Sequence, residues 1–274
     1  MIVFPNCKIN LGLRVVRMRP DGYHDIETVM VPVHGLCDAL EILPDAGDDC
    51  TFTSSGLAID APAEKNLCVQ AYRLMRRRYG IAGVKMHLHK HIPFGAGLGG
   101  GSSDAVFALR LLSDLFALHL PDTELESLAA ELGSDTVFFV RNRPMLAEGR
   151  GELLSPVKLD LSAYSIIIVK PPFGVSTAEA YAGIVPAEPE CPLTEILSGG
   201  IQTWKEKLRN DFEPSVFRKY PEIAALKKGL YAAGAVYASM SGSGSAVFGL
   251  FRDIPPPEHI QFPDNYFVYG PDML

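Results

Sequence analysis

The sequence predicts an α+β protein built from two domains, which we place at residues 1–152 and 153–274. Within the first sixty residues, apolar and polar side chains alternate in several successive stretches, and helical patterns come only afterwards. A second block of strand, helix and strand patterns follows. Strands grouped ahead of helices favour an α+β arrangement over a regularly alternating parallel sheet. A chain of 274 residues is long enough for two domains of ordinary size.

The first half contains a run of predicted strands followed by helices. Strands are predicted at "CKINLGLRVV", "YHDIETVMVPV", "ALEIL" and "CTFTS", separated by turn residues such as "RPDGYH". A helix is predicted at 66–78 and a further strand at "VKMHLHKHI". A glycine-rich stretch and two helices at 103–118 and 123–132 come next. The segment "TVFFV" is either a short strand or a buried segment of another kind.

The second half contains strand and helix patterns of its own, without an internal repeat. It is predicted to contain a strand at "YSIIIVK", helices within 201–233, and strands at "SAVFGLF" and "NYFVYG". The segment "IVPAEPECP" is predicted to be a proline-rich surface loop.

Composition and charge restrict the class of protein. A hydrophobic fraction of 47% and a charged fraction of 21% are typical of a soluble globular protein with a substantial core. The longest aliphatic run, "SIIIV", is too short to cross a bilayer, and the N-terminus does not resemble a signal peptide. The five scattered cysteines predict reduced thiols, as in cytoplasmic proteins. A net charge of -7 argues against nucleic-acid binding, and the basic run "RLMRRRYG" is predicted to be a solvated helix face.

The stretch "KHIPFGAGLGGGSSDA", residues 90–105, is the strongest functional signal. Glycine costs conformational entropy on folding, so a cluster of glycines indicates that something must approach the backbone closely. Successive backbone N–H groups form a concavity for anionic oxygens, and the start of the following helix carries a partial positive charge. The stretch therefore predicts phosphate binding. A flexible linker is disfavoured because ordered strand and helix patterns adjoin it on both sides.

Other phosphate-binding motifs fit this stretch less well. The P-loop requires lysine after its last glycine, whereas Ser102 follows Gly101 here. The dinucleotide fingerprint G-x-G-x-x-G matches at Gly95, Gly97 and Gly100, but two residues separate it from the preceding strand. No strand ending in an acidic residue follows at the required distance. An NAD-dependent oxidoreductase therefore stays a weak alternative.

The spacing P-x-x-x-G-L-x(2,3)-S-S-x-A at 93–105 resembles the signature loop of the GHMP small-molecule kinases. Two further blocks, "PNCKINLGLRVVRMRPDGYHDIETVM" and "GAVYASMSGSGSAVFGLF", resemble the first and third motifs of that family. The resemblance extends over nearly the whole chain. It implies two α+β halves, with ATP and the second substrate meeting in the cleft between the two domains.

The combination of "KINL…RPDGYH", "GLGGGSSDA" and "NDFEPSV" is most similar to one branch of the family. That branch transfers the γ-phosphoryl group of ATP, with Mg²⁺, to the 2-hydroxyl of a cytidine diphosphate-linked methylerythritol in non-mevalonate isoprenoid biosynthesis. The resemblance implies a small-molecule substrate, no nucleic-acid or membrane partner, and a monomer or weak homodimer. Another GHMP kinase chemistry and an inactive nucleotide or sugar sensor are the alternatives.

Lys8 and Asp135 are the predicted catalytic residues. By itself, Lys8 would be interpreted as an exposed lysine of an edge strand, and Asp135 as a helix N-cap. The resemblance implies instead that Lys8 is the active-site lysine and that Asp135 is the base for the substrate hydroxyl. Thr136 and Val137 depart from the proline-containing pair that the family usually has after this aspartate.

The resemblance also implies the binding residues. Tyr23 and Tyr181 would cover the two faces of the cytosine ring, His24 would hydrogen-bond its edge, and Asn10 would be a neighbouring polar residue of the site. The residues implied to bind ATP are Asn66, which lies near the adenine, Lys90, Pro93, Phe94, Gly95, Ala96, Gly97, Leu98, Gly99, Gly100, Gly101, Ser102 and Ser103.

His87, His89 and His91 alternate along one predicted strand, a spacing that is compatible with metal ligation. The residues of the other parity are apolar, so the histidines are more simply explained as the outward face of a half-buried strand. The resemblance does not identify metal ligands.

Overall fold

The computed structural model describes residues 1–59, 62–255 and 261–270. The described strands form three four-stranded sheets. Contacts between Cα atoms divide the chain into two compact units, of which the first comprises Met1–Lys8, Pro32–Phe94 and Gly99–Arg143. The second comprises Ile9–Val31, Gly95–Leu98 and Pro144–Leu274. Since both units contain segments from the N-terminal part of the chain, the boundary between residues 152 and 153 stays a prediction.

The first unit contains a sheet with helices packed against it. The strand order is β1-β4-β6-β5, with β4 antiparallel and β5 parallel to β6. These strands are β1 (Ile2–Val3), β4 (Ala39–Pro44), β5 (Cys50–Gly56) and β6 (Val84–Lys90). The helices are α1 (Leu67–Tyr79), α2 (Gly100–Leu115), α3 (Asp122–Leu132) and α4 (Thr136–Arg141), with a 3-10 turn at Ala63–Lys65.

Strand β6 shows why the sheet has a buried and an exposed face. Val84, Met86 and Leu88 are buried, whereas the residues between them point to the other face, as the alternation predicts. On that second face, the ring nitrogens of His87 lie 2.8 Å from Thr53 Oγ1 and 2.9 Å from Ser55 Oγ on β5. The histidine face is therefore bonded to the neighbouring strand.

Helix α1 has a defined signal at each end. The side chain of Asn66 accepts a hydrogen bond from the backbone N–H of Cys68, and Gly80 ends the helix in the left-handed conformation with φ of 64°. Arg73, Arg77 and Arg78 of the basic run are exposed, as the prediction of a solvated face requires, and Arg78 forms an ion pair with Glu131 on α3 at 2.5 Å.

The second unit contains an antiparallel sheet of order β10-β11-β9-β12. These strands are β9 (Ser165–Lys170), β10 (Tyr237–Met240), β11 (Val247–Phe251) and β12 (Phe267–Tyr269). The helices are α5 (Thr177–Tyr181), α6 (Leu193–Ser198), α7 (Trp204–Lys207), α8 (Glu213–Lys219) and α9 (Pro221–Ala232), with a 3-10 turn at Ile201–Thr203. Ile223 and Leu230 of α9 share one buried core with Val247 and Phe251 of β11.

The third sheet has the order β2-β3-β7-β8. Its strands are β2 (Asn6–Met18), β3 (His24–Cys37), β7 (Met145–Gly149) and β8 (Leu153–Pro156). Both β2 and β3 are long and contribute residues to each unit. The hairpin of β7 and β8 was not predicted from the sequence.

Three element predictions differ from the structure. The strand alternative for "TVFFV" is wrong, because this segment forms the start of α4; a short run that is buried on every side has no diagnostic period. Helix α2 begins at Gly100, three residues before the predicted start at residue 103. The helical pattern within 201–233 is interrupted, since α8 and α9 each begin with a proline in the first turn.

In the described part of the chain, no helix has both the length and the apolar character required to span a bilayer.

Candidate active site

Lys8 and Asp135 form an ion pair in the first unit. Lys8 Nζ lies 3.5 Å from Asp135 Oδ2, and the side chains are 4% and 41% exposed, respectively. The interpretation of Lys8 as an exposed edge lysine is therefore wrong. Asp135 occupies the N-cap position of α4, but its carboxylate makes no capping hydrogen bond. The structure thus places a half-exposed carboxylate beside an enclosed ammonium.

Gly99 lets the side chain of Lys8 pass close to the backbone. Its φ is +70°, and a Cβ at this position would lie 3.0 Å from both Lys8 Cγ and Phe139 Cζ. Such contacts are tighter than a side chain ordinarily makes. At this glycine, the close approach is made by the lysine of the predicted catalytic pair.

Thr136 is the first residue of the pair that departs from the family's proline-containing pair. Its hydroxyl lies 2.5 Å from the carbonyl oxygen of Ala129 and also contacts that of Gly133. The side chain is fully buried, so this hydroxyl fixes the turn that precedes α4 and carries Asp135.

We expect Thr136→Val to lower the free energy of unfolding by about 1–3 kcal/mol. Valine has nearly the size of threonine but lacks the hydroxyl, so the buried carbonyl oxygens lose their hydrogen-bond donor. Thr136→Ser keeps the hydroxyl and serves as the control. Urea denaturation of the three proteins measures the difference. Equal stability of the valine variant and the wild type would show that these hydrogen bonds do not hold the turn.

The stretch Gly95–Leu98 lies in the second unit, against a second glycine-rich segment. The side chains of Ala96 and Leu98 are buried, whereas Gly95 and Gly97 have positive φ of 58° and 72°. The hydroxyl of Ser241 donates to the carbonyl oxygen of Gly97 at 2.9 Å. A Cβ on Gly97 would lie 1.9 Å from the carbonyl oxygen of Ser241. Ser241 of the third motif thus holds the loop backbone at Gly97.

The first turn of α2 offers backbone N–H groups. The N–H of Ser103 bonds to the carbonyl oxygen of Gly99, whereas the first residues of a helix have no partner within it. Gly101 and Ser102 are half-buried, and a Cβ on Gly101 would meet only Leu67 Cδ1 at 3.8 Å. Ser103 Oγ is buried and makes no hydrogen bond to the described residues. This helix start can receive an anion.

Asn66, Pro93 and Phe94 lie in the same unit, and their contacts with a nucleotide stay predictions. The side-chain oxygen of Asn66 is used to cap α1. Phe94 is 44% exposed, and its ring centroid is 5.0 Å from Lys90 Nζ. Pro93 is half-buried beside it.

Lys90 lies inside the first unit and interacts with two carboxylates that were not predicted to belong to the site. Its Nζ bonds to Oδ2 of Asp38 and lies 2.8 Å from Oδ2 of Asp104, while the other oxygen of Asp104 is buried without a partner among the described residues. A direct contact of Lys90 with ATP stays a prediction. The only sequence signal for Asp104 was its place after the two serines.

Burial raises the pKa of Asp104 well above its usual range, although the Lys90 ammonium opposes this shift. Asp38 and Cys68 also lie close to Asp104 and Lys90. Burial lowers the pKa of Lys90, but the two carboxylates outweigh it, so that pKa is raised overall. In the folded protein, Asp104 therefore keeps its proton at pH values where the unfolded chain has lost it.

This shift has a defined sign in a stability experiment. Stability contributed by Asp104 is fully present below the unfolded pKa of about 4 and is lost as pH rises toward the folded pKa. Asparagine does not titrate, so the melting temperature of Asp104→Asn minus that of the wild type should increase between about pH 5 and pH 8. A difference that is constant with pH would contradict the raised pKa.

The predicted base-binding residues lie in the second unit. The ring of His24 stacks on Tyr181, with centroids 4.7 Å apart and an interplanar angle of 20°. Tyr23 is 57% exposed, and the Arg150 guanidinium carbon lies 4.7 Å from its ring centroid. Arg150 was not predicted; it lies in the turn of the unpredicted β7–β8 hairpin.

Asn10 belongs to a buried polar network of the second unit. Its amide nitrogen Nδ2 donates to Thr28 Oγ1 at 3.1 Å, and its backbone N–H donates to Ser241 Oγ at 3.2 Å. The same serine hydroxyl donates to the carbonyl oxygen of Gly97, so Ser241 is hydrogen-bonded both to β2 and to the loop. The contact of Asn10 with a substrate stays a prediction.

Comparison with known proteins identifies the class. The family model for the GHMP kinases N terminal domain matches residues 66–143, and that for the GHMP kinases C terminal matches residues 193–261. A Parabacteroides distasonis protein named 4-diphosphocytidyl-2-C-methyl-D-erythritol kinase is 52% identical over 252 residues, which cover 92% of each chain. A Salinibacter ruber protein of the same name is 41% identical over 90% of this chain and 88% of its own. The chain belongs to the GHMP kinase family.

Solved structures agree with this assignment. The crystal structure of 4-(cytidine 5'-diphospho)-2C-methyl-D-erythritol kinase superimposes with a TM-score of 0.77 at 35% identity, covering 91% of this chain and 90% of that one. Homoserine kinase from Cytophaga hutchinsonii gives a TM-score of 0.66 at 18% identity, covering 97% and 94%. The second likeness shows the shared fold alone.

Proposed function

We propose that this protein transfers the γ-phosphoryl group of ATP to the 2-hydroxyl of 4-diphosphocytidyl-2-C-methyl-D-erythritol, a step of non-mevalonate isoprenoid biosynthesis. The observation that carries the proposal is the Lys8–Asp135 pair, set beside Gly99 at the start of α2. Two relatives that are 52% identical over 92% of the chain are named 4-diphosphocytidyl-2-C-methyl-D-erythritol kinase, which supports the choice of substrate.

The pair performs the proton and charge chemistry of the transfer. Asp135 accepts the proton of the substrate 2-hydroxyl while the oxygen of that hydroxyl forms a bond to the γ-phosphorus. The bond between this phosphorus and the β–γ bridging oxygen breaks, and ADP is released. Phosphoryl transfer requires mainly positioning and charge stabilisation from the protein. Lys8 orients the carboxylate and stabilises negative charge on the moving group.

ATP is the co-substrate of this family, and the chain offers features that fit its phosphates. The first-turn N–H groups of α2 and the positive-φ glycines of the loop are suited to anionic oxygens. Magnesium, when bound, neutralises phosphate charge. Among the described residues, no group of three His, Cys, Asp or Glu side chains is placed to hold a metal ion.

An assay of ADP release tests the activity. Purified protein with ATP, Mg²⁺ and 4-diphosphocytidyl-2-C-methyl-D-erythritol should produce ADP and the 2-phosphate. Homoserine and mevalonate are the control acceptors, and we expect neither to be phosphorylated. Turnover of either control, with none of the cytidine substrate, would overturn the proposal.

Base selectivity is assigned to His24, with Tyr23 and Tyr181 as stacking surfaces. In the structure the His24 ring covers one face of Tyr181. Binding of cytosine against that face therefore requires the histidine to move from the stack to the edge of the base, where it can form hydrogen bonds.

We expect the wild-type kcat/KM to favour the cytidine substrate over its uridine analogue by at least about 10²-fold. The hydrogen-bond donors and acceptors on the edge of uracil are reversed relative to those of cytosine, which leaves buried polar groups of the protein unpaired. His24→Ala should reduce this ratio. Tyr181→Phe keeps the stacking ring and should preserve it. An unchanged ratio in His24→Ala would remove the histidine from base recognition.

The proposal also includes the state of the protein in solution. We expect a cytoplasmic monomer or weak homodimer that binds neither nucleic acid nor membrane. Light scattering after size exclusion measures the mass directly, and a stable mass above that of two chains would contradict this expectation.

A further inference from the structure

The ammonium of Lys90 joins the end of a strand to the beginning of a helix within the first unit. Lys90 is the last residue of β6, and its side chain is 1% exposed. Its two carboxylate partners, Asp38 and Asp104, are 0% and 3% exposed. A cation enclosed in this way influences a bound molecule through the groups that surround it.

Asp38 holds the backbone on the strand side. Its Oδ1 accepts hydrogen bonds from the N–H groups of His91 at 2.6 Å and Ile92 at 2.8 Å. These residues lie beyond the end of β6 and directly before Pro93. The other oxygen of the same carboxylate bonds to Lys90. The conformation of the chain as it leaves the sheet is thus tied to the ammonium.

The helix side is held by two contacts. Asp104, in the second turn of α2, accepts from Lys90 Nζ at 2.8 Å. A Cβ on Gly100, the first residue of α2, would lie 3.0 Å from the same Nζ and 2.8 Å from Ile92 Cγ2. The backbone at the helix start therefore packs directly on Lys90 and Ile92.

Stability alone is a poor explanation for this cluster. One cation and two carboxyl groups are buried together, and buried ion pairs often stabilise a fold no better than apolar residues of similar volume. What charged hydrogen bonds do provide is a defined geometry. That geometry applies to the two chain segments that flank residues 95–98.

We propose that Lys90 is a positioning residue for ATP binding: through Asp38 and Asp104 it fixes the strand end and the helix start on either side of the glycine-rich stretch. This role rests on the proposed kinase function. It assigns to the Lys90 ammonium an action on the phosphates through the backbone N–H groups of α2, in place of the direct contact with ATP that the resemblance implies.

The test removes the ammonium together with one of its two acidic partners. Lys90→Met alone leaves two buried carboxylates without a cation and can fail to fold. The variant Lys90→Met/Asp104→Asn removes the cation together with the carboxyl group whose pKa is raised, and it leaves Asp38 bonded to the N–H groups of His91 and Ile92. Lys85→Met, on the same strand, removes an exposed ion pair with Asp45 at 3.3 Å and serves as the control.

Titration calorimetry with ADP, the KM values for both substrates and the melting temperature are measured on each protein. We expect the double variant to bind ADP about 10-fold more weakly, the scale of one charged hydrogen bond. Its KM for the cytidine substrate should equal that of Lys85→Met.

A folded double variant with wild-type ADP affinity would overturn the positioning role. Equal losses for ADP and the cytidine substrate would also overturn it, because they indicate general loosening of the fold. Absence of ADP binding by the wild type would instead refute the kinase function itself, so the two failures are distinguishable.

Discussion

Asp135→Asn is expected to lower kcat by at least about 10²-fold, because general-base assistance contributes about 10²–10⁴-fold and the amide cannot accept the hydroxyl proton. The side chain is 41% exposed and caps no helix, so the substitution should leave the fold intact. Lys8→Met should lower kcat on the same scale, since it removes the charge that orients the carboxylate. Initial rates of ADP release at saturating substrates measure both effects.

Asp122→Asn provides a matched control for this experiment. Asp122 is also 41% exposed, lies in the same unit and pairs with Arg110 at 2.9 Å and Arg141 at 3.3 Å, neither of which belongs to the proposed catalytic pair. We expect its kcat to stay near that of the wild type. Near-normal kcat in Asp135→Asn would mean that this carboxylate is not the base.

The double variant Lys8→Met/Asp135→Asn tests whether the two residues act as a unit. Residues that act together show losses far smaller than the product of their single effects. Melting temperatures and binding of the cytidine substrate should match the wild type. Multiplicative losses would contradict a functional pair.

Gly97→Ala is expected to have the largest effect of any substitution in the loop. The added Cβ would lie 1.9 Å from the Ser241 carbonyl oxygen, and φ of +72° disfavours alanine. If the backbone holds, overlap and strain together should cost about 2–5 kcal/mol of unfolding free energy. If the loop moves away instead, the KM for ATP should rise. Urea denaturation and steady-state kinetics on the same preparation measure both.

Gly80→Ala separates the backbone strain from the overlap. Gly80 ends α1 with φ of +64°, but no atom lies within 4 Å of a Cβ placed there. We expect a loss of about 1–2 kcal/mol from strain alone and an unchanged KM for ATP. If Gly97→Ala matched Gly80→Ala in both stability and KM, the contact with Ser241 would have no role in holding the loop.

Local features of this protein are determined by its sequence. The alternation of β6, the position of α1 within one residue of the predicted 66–78, and the exposure of Arg73, Arg77 and Arg78 agree with prediction. Each depends on residues that are close in the chain, because dihedral preferences, caps and side-chain periodicity act over a few positions. The phosphate-binding prediction for residues 93–103 is of the same kind, and it stays a prediction residue by residue.

Only the tertiary structure decides what surrounds each predicted side chain. Lys8 and Asp135 come from distant parts of the chain, and their 3.5 Å separation follows from packing. The enclosure of Lys90 by Asp38 and Asp104 likewise has no local pattern. Burial and ion pairing depend on which distant segments meet in the folded chain. The family resemblance implied Lys8, Asp135 and Lys90 as site residues, whereas only the fold showed that Asp38 and Asp104 are the partners of Lys90.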